Sequence, residues 1–194
     1  MAKFGARYIR FAPFAAENAE PDNAYPTYGT AIGVSKLVKV SDSPDVSEVK
    51  HYADDECDEY AADADGGDVD LEVSDIDNDL AAAVLGVEKD SNGDIAFGDD
   101  TAPYGGLGFV CCRQVNNQKK YQGIVYPKVK ASMQGDEYET KGESVVFHNG
   151  KLKFRATKAK IGKWKRCSAY KATPDLAKAW VDEKLGVTVS SGTT

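Results

Sequence analysis

Apolar residues of this chain recur mainly with the two-residue period of β-strands, and this period constrains the fold more than any other feature. Val69, Leu71 and Val73 alternate with acidic residues, which is typical of a strand with one buried face. Similar patterns predict further strands at 34–40, 106–115, 121–133 and 163–171. With shorter pieces elsewhere, the sequence predicts about eight short strands.

Two segments have a helical period instead. In the first, Ser74 or Asp75 is the predicted N-cap, because either side chain can accept a hydrogen bond from a first-turn N–H group. Gly86 is the predicted end, since glycine readily adopts the left-handed conformation found there. The apolar face of this short helix consists of Ile76, Leu80, Ala83 and Val84.

The second helical segment lies near the C-terminus. Thr173 is its predicted N-cap, Pro174 suits the first helical position, and Gly186 follows its end. Its apolar face consists of Leu176, Ala177, Trp180, Val181 and Leu185. The strands and these two short helices together predict a mostly β domain of the α+β class.

A β-hairpin is predicted around Asn149-Gly150, because both residues tolerate the positive φ angles of a two-residue type I′ turn. The flanking strands would be Ser144–His148 and Lys151–Arg155. In this register one face is apolar, and it pairs Phe147 with Leu152 and Val145 with Phe154.

Charge is strongly segregated along the chain. Residues 41–100 hold 21 of the 31 acidic residues and only two bases, Lys50 and Lys89. Residues 101–194 hold 17 Lys and Arg against 7 Asp and Glu. Copies of such a chain can attract one another, acidic part to basic part. The simpler alternative is that both parts are solvated faces, and composition alone favours it.

The length of 194 residues fits one domain, 1–194. Within it we expect an N-terminal arm or loops over 1–30, where three prolines occur, and a flexible polar tail over 187–194. Residues 41–70 contain few large apolar side chains and are expected to form an acidic loop region. No apolar run approaches the roughly 18 residues of a membrane span, so no membrane insertion is predicted.

The acidic residues do not form a recognisable metal-binding motif. Asp75, Asp77 and Asp79 have the spacing of the first three EF-hand ligands. However, Leu80 stands where the sharp turn needs glycine, and Gly86 stands where a bidentate Glu is needed. The four cysteines also lack the paired spacing of a zinc site. No metal and no cofactor are predicted.

Catalytic motifs are equally hard to find. The only histidines, His51 and His148, lie in no recognisable nucleophile setting. Bases alternate with aromatic residues over 163–171, a pattern that can bind nucleic acid, but an amphipathic strand gives the same pattern. The chain is therefore not predicted to be an enzyme.

Several short motifs occur in an order that resembles a known family: 52–56 (YADDE), 69–73 (VDLEV), 79–86 (DLAAAVLG), 103–109 (PYGGLGF), 126–129 (YPKV) and 139–143 (ETKGE). The chain is similar, over about residues 30–160, to the major tail protein (tail tube protein) family of long-tailed bacteriophages with non-contractile tails. Each motif is weak alone, and the resemblance depends on their order.

This resemblance implies a β-sandwich-like tail tube fold with a flanking helix. It implies subunits that form hexameric rings, which stack into a tube through which double-stranded DNA passes without specific binding. The partners would be other copies of the chain and other phage tail components. The protein would be assembled in the host cytoplasm and would reside in the tail of the virion, with no enzymatic activity.

The resemblance also places the contact residues. Long loops in the family reach neighbouring subunits, so the inter-subunit contact candidates are Asp54, Asp55, Glu56, Asp58 and Glu59. The hairpin from Val145 to Phe154 would belong to the sheet system. Two alternatives stay open. One is a tail-associated β-sandwich module that binds carbohydrate or another tail component, with Trp164 as a stacking platform. The other is the tube subunit of a contractile tail.

Overall fold

The structure, a computed structural model, describes residues 2–16, 19–53, 56–135 and 149–187. These residues form ten strands and two helices. The strands are β1 (Ala2–Pro13), β2 (Ile32–Gly33), β3 (Leu37–Ala53), β4 (Glu56–Val73), β5 (Glu88–Lys89), β6 (Ile95–Ala96), β7 (Tyr104–Val115), β8 (Gln118–Met133), β9 (Gly150–Thr157) and β10 (Arg166–Cys167). The helices are α1 (Asn78–Leu85) and α2 (Pro174–Lys184).

One antiparallel sheet dominates the molecule. Its strand order is β2-β1-β7-β8-β9-β4-β3, with β10 paired to β8 beside this path, while β5 and β6 form a separate pair. The sheet curls until β1 lies close to β3, so its two halves face each other across a shared core. The prediction of a mostly β domain of the α+β class with a sandwich-like arrangement and two helices is confirmed.

The main core lies on the concave side of this sheet. Its largest fully buried side chains include Tyr126, Phe11, Phe154 and Leu71, which come from both halves of the sheet. The rings of Phe11 and Phe154 lie 5.8 Å apart, centroid to centroid. Burial of such side chains contributes about 1.5–3 kcal/mol each, so this core is the principal source of stability.

Helix α2 covers the convex side of β7 and β8. Ala177, Val181 and Leu185 are buried there, at the spacing of one helical face. Gly108 makes the close approach possible, because a Cβ at this position would lie 2.7 Å from a methyl carbon of Val181. Gly106, where a Cβ would meet Leu185, and Gly108 therefore make room for the helix and for the residue that ends it. Leu176, predicted to share the apolar face, is 55% exposed.

Helix ends were only partly predictable. Gly86 ends α1 in the left-handed conformation, with φ of 75°, and Thr173 caps α2 ahead of Pro174, as predicted. The N-cap of α1 is Asp77, not Ser74 or Asp75. The Asp77 carboxylate accepts from the Leu80 N–H at 2.7 Å, and the Asp75 carboxylate accepts from the adjacent Ile76 N–H outside the helix.

The N-terminal segment is mostly sheet, so the prediction of an arm or loops over 1–30 is wrong for residues 2–13. Strand β1 pairs with β7 along most of its length and with β2 at Arg10 and Phe11. Two bulges interrupt it, at Gly5 (φ 66°) and Tyr8 (φ 59°). These irregularities hide the strand pattern in the sequence, because a bulge shifts which side chains face the core.

The predicted hairpin around Asn149-Gly150 is also wrong in its register. Val145 and Phe147 lie outside the described residues, whereas Leu152 and Phe154 are buried core residues of β9. Strand β9 pairs with β4 on one edge and with β8 on the other. Both edges of strand β9 are therefore occupied at Leu152 and Phe154, so neither edge is open to the predicted partner strand.

The tight type I′ turn lies elsewhere. Asn116 and Asn117 join β7 to β8, with φ angles of 49° and 58° and Val115 opposite Gln118. Strand β8 then continues through Pro127, where an extra residue bulges against β7. A bulge tolerates proline because the ladder there needs no N–H donor. The strand predicted over 163–171 is reduced to the two residues of β10.

Candidate interaction surfaces

Strands β3 and β4 extend well past their neighbour β9. They pair with each other from Leu37 and Val73 to Ala53 and Glu56, but β4 pairs with β9 only from Gly66 onward. Residues 45–53 and 56–65 therefore form a two-stranded hairpin arm, here called the acidic ribbon. At about 3.3 Å per residue it reaches roughly 30 Å beyond β9. The prediction of an acidic loop region over 41–70 is wrong, because nearly all of this segment is strand.

The base of the acidic ribbon has a specific backbone arrangement. A Cβ at Gly66 would clash with the Ala156 carbonyl oxygen, and one at Gly67 would lie 2.5 Å from the Ser43 carbonyl oxygen. A register shift follows directly, between Asp45 and Val46. The Gly-Gly pair thus lets three strands approach closely at the point where the ribbon leaves the sheet.

Acidic side chains at the base of the ribbon are neutralised within the subunit. Asp68 accepts from Lys153 at 2.8 Å and from Arg155 at 3.1 Å, and Arg155 also pairs with Asp45. Hydrogen bonds from Lys153 and Arg155 lower the pKa of the Asp68 carboxyl. Acidic residues of β4 thus lie opposite basic residues of β9, so like charges do not face each other across this strand pair.

A further basic side chain, Lys158, pairs with the part of the ribbon that is nearest the sheet. Lys158 contacts Asp63 at 3.2 Å and also pairs with Asp65, and both contacts raise the pKa of its ammonium group. On the opposite strand, Lys165 pairs with Asp42, which also accepts from the buried Tyr126 hydroxyl at 3.1 Å. The described ion pairs of this segment therefore lie near the body of the sheet, at Asp42, Asp45, Asp63, Asp65 and Asp68.

The predicted contact residues lie at the far end of the ribbon. Glu56, Asp58 and Glu59 occupy the start of β4, with Glu56 opposite Ala53 and Glu59 opposite His51. Asp54 and Asp55 lie outside the described residues. From residue 45 to 65 the sequence carries nine acidic residues against the single base Lys50. The backbone thus brings three of the five predicted contact residues to the tip of one projecting element.

A basic surface lies on β1, β7 and β8. Residues 2–16 and 101–135 contain no Asp or Glu. The bases of these strands near the Asn116-Asn117 turn are Lys3, Arg7, Arg113, Lys119 and Lys120, here called the basic end. No prediction from the sequence includes this surface as a unit, although the absence of acidic residues from both segments indicates it.

Aromatic rings support part of the basic end. The Arg7 guanidinium lies 5.7 Å from the centre of the Tyr121 ring, and that of Arg113 lies 5.9 Å from the Tyr170 ring. Among the described residues, no Asp or Glu side chain pairs with Lys119 or Lys120. No described carboxylate therefore neutralises Lys119 or Lys120, whereas Lys153 of β9 is neutralised by Asp68.

The other acidic motifs serve local structure. Asp77 caps α1, Asp79 pairs with Lys89, and the Asp90 carboxylate accepts from the N–H groups of Asn92 and Asp94. These backbone hydrogen bonds lower the pKa of Asp90. The described part of the chain holds no group of three or more potential metal ligands.

Trp164, the predicted stacking platform, is partly buried. Its ring lies 6.0 Å from that of Tyr126 and packs against the main core. An open groove of about 320 Å³ lies elsewhere, between the C-terminal end of α1 and β8, and is lined in part by Phe97 and Lys130. None of the helices in the described ranges is long and apolar enough to cross a membrane.

No protein-family model matches the sequence, and no curated protein is significantly similar to it.

Proposed function

We propose that the chain is a structural virion protein, the tail tube subunit of a long-tailed bacteriophage with a non-contractile tail. Copies assemble into hexameric rings, the rings stack into a tube, and the tube conducts double-stranded DNA into the host. DNA passes without specific binding. The proposal assigns the chain no catalytic role and no cofactor, and its other partners are further tail components.

The acidic ribbon is the observation that carries this proposal. A two-stranded hairpin without further partners is at best marginally stable in water. Among the described residues no third strand covers the ribbon beyond Gly66. An element of roughly 30 Å that projects in this way is expected to be completed by contacts with another molecule. A subunit that is completed only by its neighbours suits a repeating assembly.

The sequence motifs support the identity of that assembly. The segments at 69–73 and 103–109 fall in β4 and β7, and 79–86 falls in α1 with its glycine end. They therefore belong to the framework of the fold. The mostly β domain with a helix packed on one side also agrees with what the resemblance implies.

The direct test is electron microscopy of the purified protein in negative stain, over a series of concentrations. The proposal predicts rings at low concentration and tubes at high concentration. A chain that stays monomeric across all concentrations and salt conditions would contradict it. A tube found inside a contractile sheath in virions would instead assign the protein to a contractile tail.

The carbohydrate-binding alternative has its own test. Glycan binding in an array that disappears in Trp164→Ala, while the variant stays folded, would favour a binding module. The packing of Trp164 against Tyr126 argues against an open stacking platform.

A further inference from the structure

The acidic ribbon and the basic end project from the same end of the sheet. Gly67, Ala156 and Val129 lie in one row across β4, β9 and β8. Both β4 and β8 run antiparallel to β9, so from this row they extend backward in the same direction. Eleven residues lead from Gly67 to Glu56, and eleven lead from Val129 to Gln118. The two tips therefore reach similar distances past β9.

Opposite charges thus lie at one level of the molecule but on different strands. The described basic partners of the ribbon's acidic side chains belong to β9 and its following loop: Arg155 pairs with Asp45, and Lys158 pairs with Asp63. Among the side chains that the structure describes, no ion pair joins the ribbon residues Asp45, Glu48, Asp63 and Asp65 to Arg7, Arg113, Lys119 or Lys120. The two surfaces of one subunit therefore carry opposite charges on separate strands at one end of the sheet.

We propose that the acidic ribbon of one copy docks on the basic end of a second copy, side by side within one ring. This inference rests on the proposed function, because it needs a self-assembling subunit. It goes further by assigning the ribbon to contacts within a ring and by naming its receptor surface, the ends of β1, β7 and β8.

The level of the two surfaces supports a ring contact. Neighbours in a ring are related by rotation, so a contact joins two patches that lie at equal heights along the axis. The ribbon tip and the basic end meet this condition when the strand extensions run along the axis. The two patches differ from each other, so the interface is heterologous, and such an interface closes into a ring when the rotation permits. Ring stacking would need complementary patches at opposite ends.

Charge exchange tests the pairing directly. The ribbon variant combines Glu56→Lys with Glu59→Lys, and the basic-end variant combines Lys119→Glu with Lys120→Glu. Each variant alone places like charges against each other at the exchanged positions and roughly halves or removes the opposite charge of its surface, so its ring formation should weaken about tenfold or more in protein concentration. Mixed in equal amounts, the two variants should recover rings, because the introduced Lys side chains of one variant then face the introduced Glu side chains of the other.

Matched controls separate this contact from net charge. Asp94→Lys with Asp99→Lys changes the charge by the same amount as the ribbon variant, at exposed positions outside the ribbon. Lys36→Glu with Lys163→Glu does the same for the basic-end variant. Both controls should form rings as the wild type does. Circular dichroism melting confirms that every variant is folded.

Native mass spectrometry of the mixture gives the readout. The proposal predicts rings in which the two variants occur in equal numbers. Rings formed by each variant alone, as readily as by the wild type, would overturn the pairing while leaving the proposed function intact. A closed dimer in the mixture would overturn the ring geometry. A wild type that never assembles would overturn the proposed function and this inference together.

Discussion

Gly66 illustrates how single residues set the path of the chain at the base of the acidic ribbon. A Cβ at this position would meet the carbonyl oxygen of Ala156 on the neighbouring strand. Gly66→Ala is expected to lower the free energy of unfolding by about 1–3 kcal/mol, because backbone atoms must move apart. Urea denaturation measures this change. Gly98→Ala is the control, since no atom lies within 4 Å of the added Cβ. Equal effects of both substitutions would contradict the close approach.

Asp68 gives a prediction on pH. Its folded pKa is lowered by Lys153 and Arg155, below the value of about 3.9 for an unpaired aspartate in the unfolded chain. The stabilisation is therefore fully present above about pH 4 and is lost as the pH falls through the folded pKa. We expect Asp68→Asn to be less stable than wild type at pH 7, with the difference shrinking toward pH 2.

Urea denaturation of both proteins at pH 7, 4 and 2.5 measures this trend. Asp99→Asn removes an exposed carboxylate with the same change of net charge and serves as the control. A stability difference for Asp68→Asn that is undiminished at pH 2.5 would show that charge pairing is not its cause.

The β7–β8 turn gives the prediction at the scale of elements. Asn116 and Asn117 both have positive φ, a conformation that glycine adopts at lower cost than asparagine. Asn117→Gly is therefore expected to raise the free energy of unfolding by about 0.5 kcal/mol. Asn149→Gly, at a position without positive φ, should give no gain. Thermal unfolding of both variants measures these changes. Stabilisation by Asn149→Gly alone would favour the type I′ turn predicted at Asn149-Gly150.

Elements with a local signal could be predicted from the sequence. The caps at Thr173 and Gly86 and the alternation around Leu71 each depend on a few adjacent residues, and all three were found. The hairpin at Asn149-Gly150 failed because its register is decided by β4 and β8, which are distant in sequence. Local turn chemistry does not reveal which strands occupy both edges of a strand.

The prediction of a loop region over 41–70 failed for a related reason. A segment with few large apolar residues suggests a surface loop, but pairing between β3 and β4 and ion pairs with β9 make it a strand. The sequence did place the contact candidates in this segment, and Glu56, Asp58 and Glu59 lie at its tip. Their partner surface requires β1, β7 and β8 to be brought together, which only the sheet order reveals.

At the scale of the whole molecule, the charge segregation divides into two parts. Where β3 and β4 leave the sheet, acidic side chains pair with bases of the same chain, at Asp42, Asp45, Asp63 and Asp68. The tip of the ribbon and the basic end carry opposite charges at the same level of the molecule, on different strands. The net charge of −7 therefore conceals surfaces that repeated copies can match.

Salt should weaken this matching. Exposed charges interact over about 10 Å at 0.1 M salt and over about 3 Å at 1 M salt. We expect the protein concentration needed for ring formation to rise with salt, while the urea midpoint of the monomer changes little because its core is apolar. Sedimentation velocity at both salt concentrations measures the assembly. Assembly that becomes stronger at 1 M salt would indicate an apolar contact instead.

Self-assembly itself is tested most directly by the mass of the wild-type protein in concentrated solution at low salt. Native mass spectrometry should give a species of six copies of the 20.9 kDa chain, in equilibrium with larger stacks and with the monomer on dilution. A single species of 20.9 kDa at every concentration and salt would contradict the proposed tail tube function.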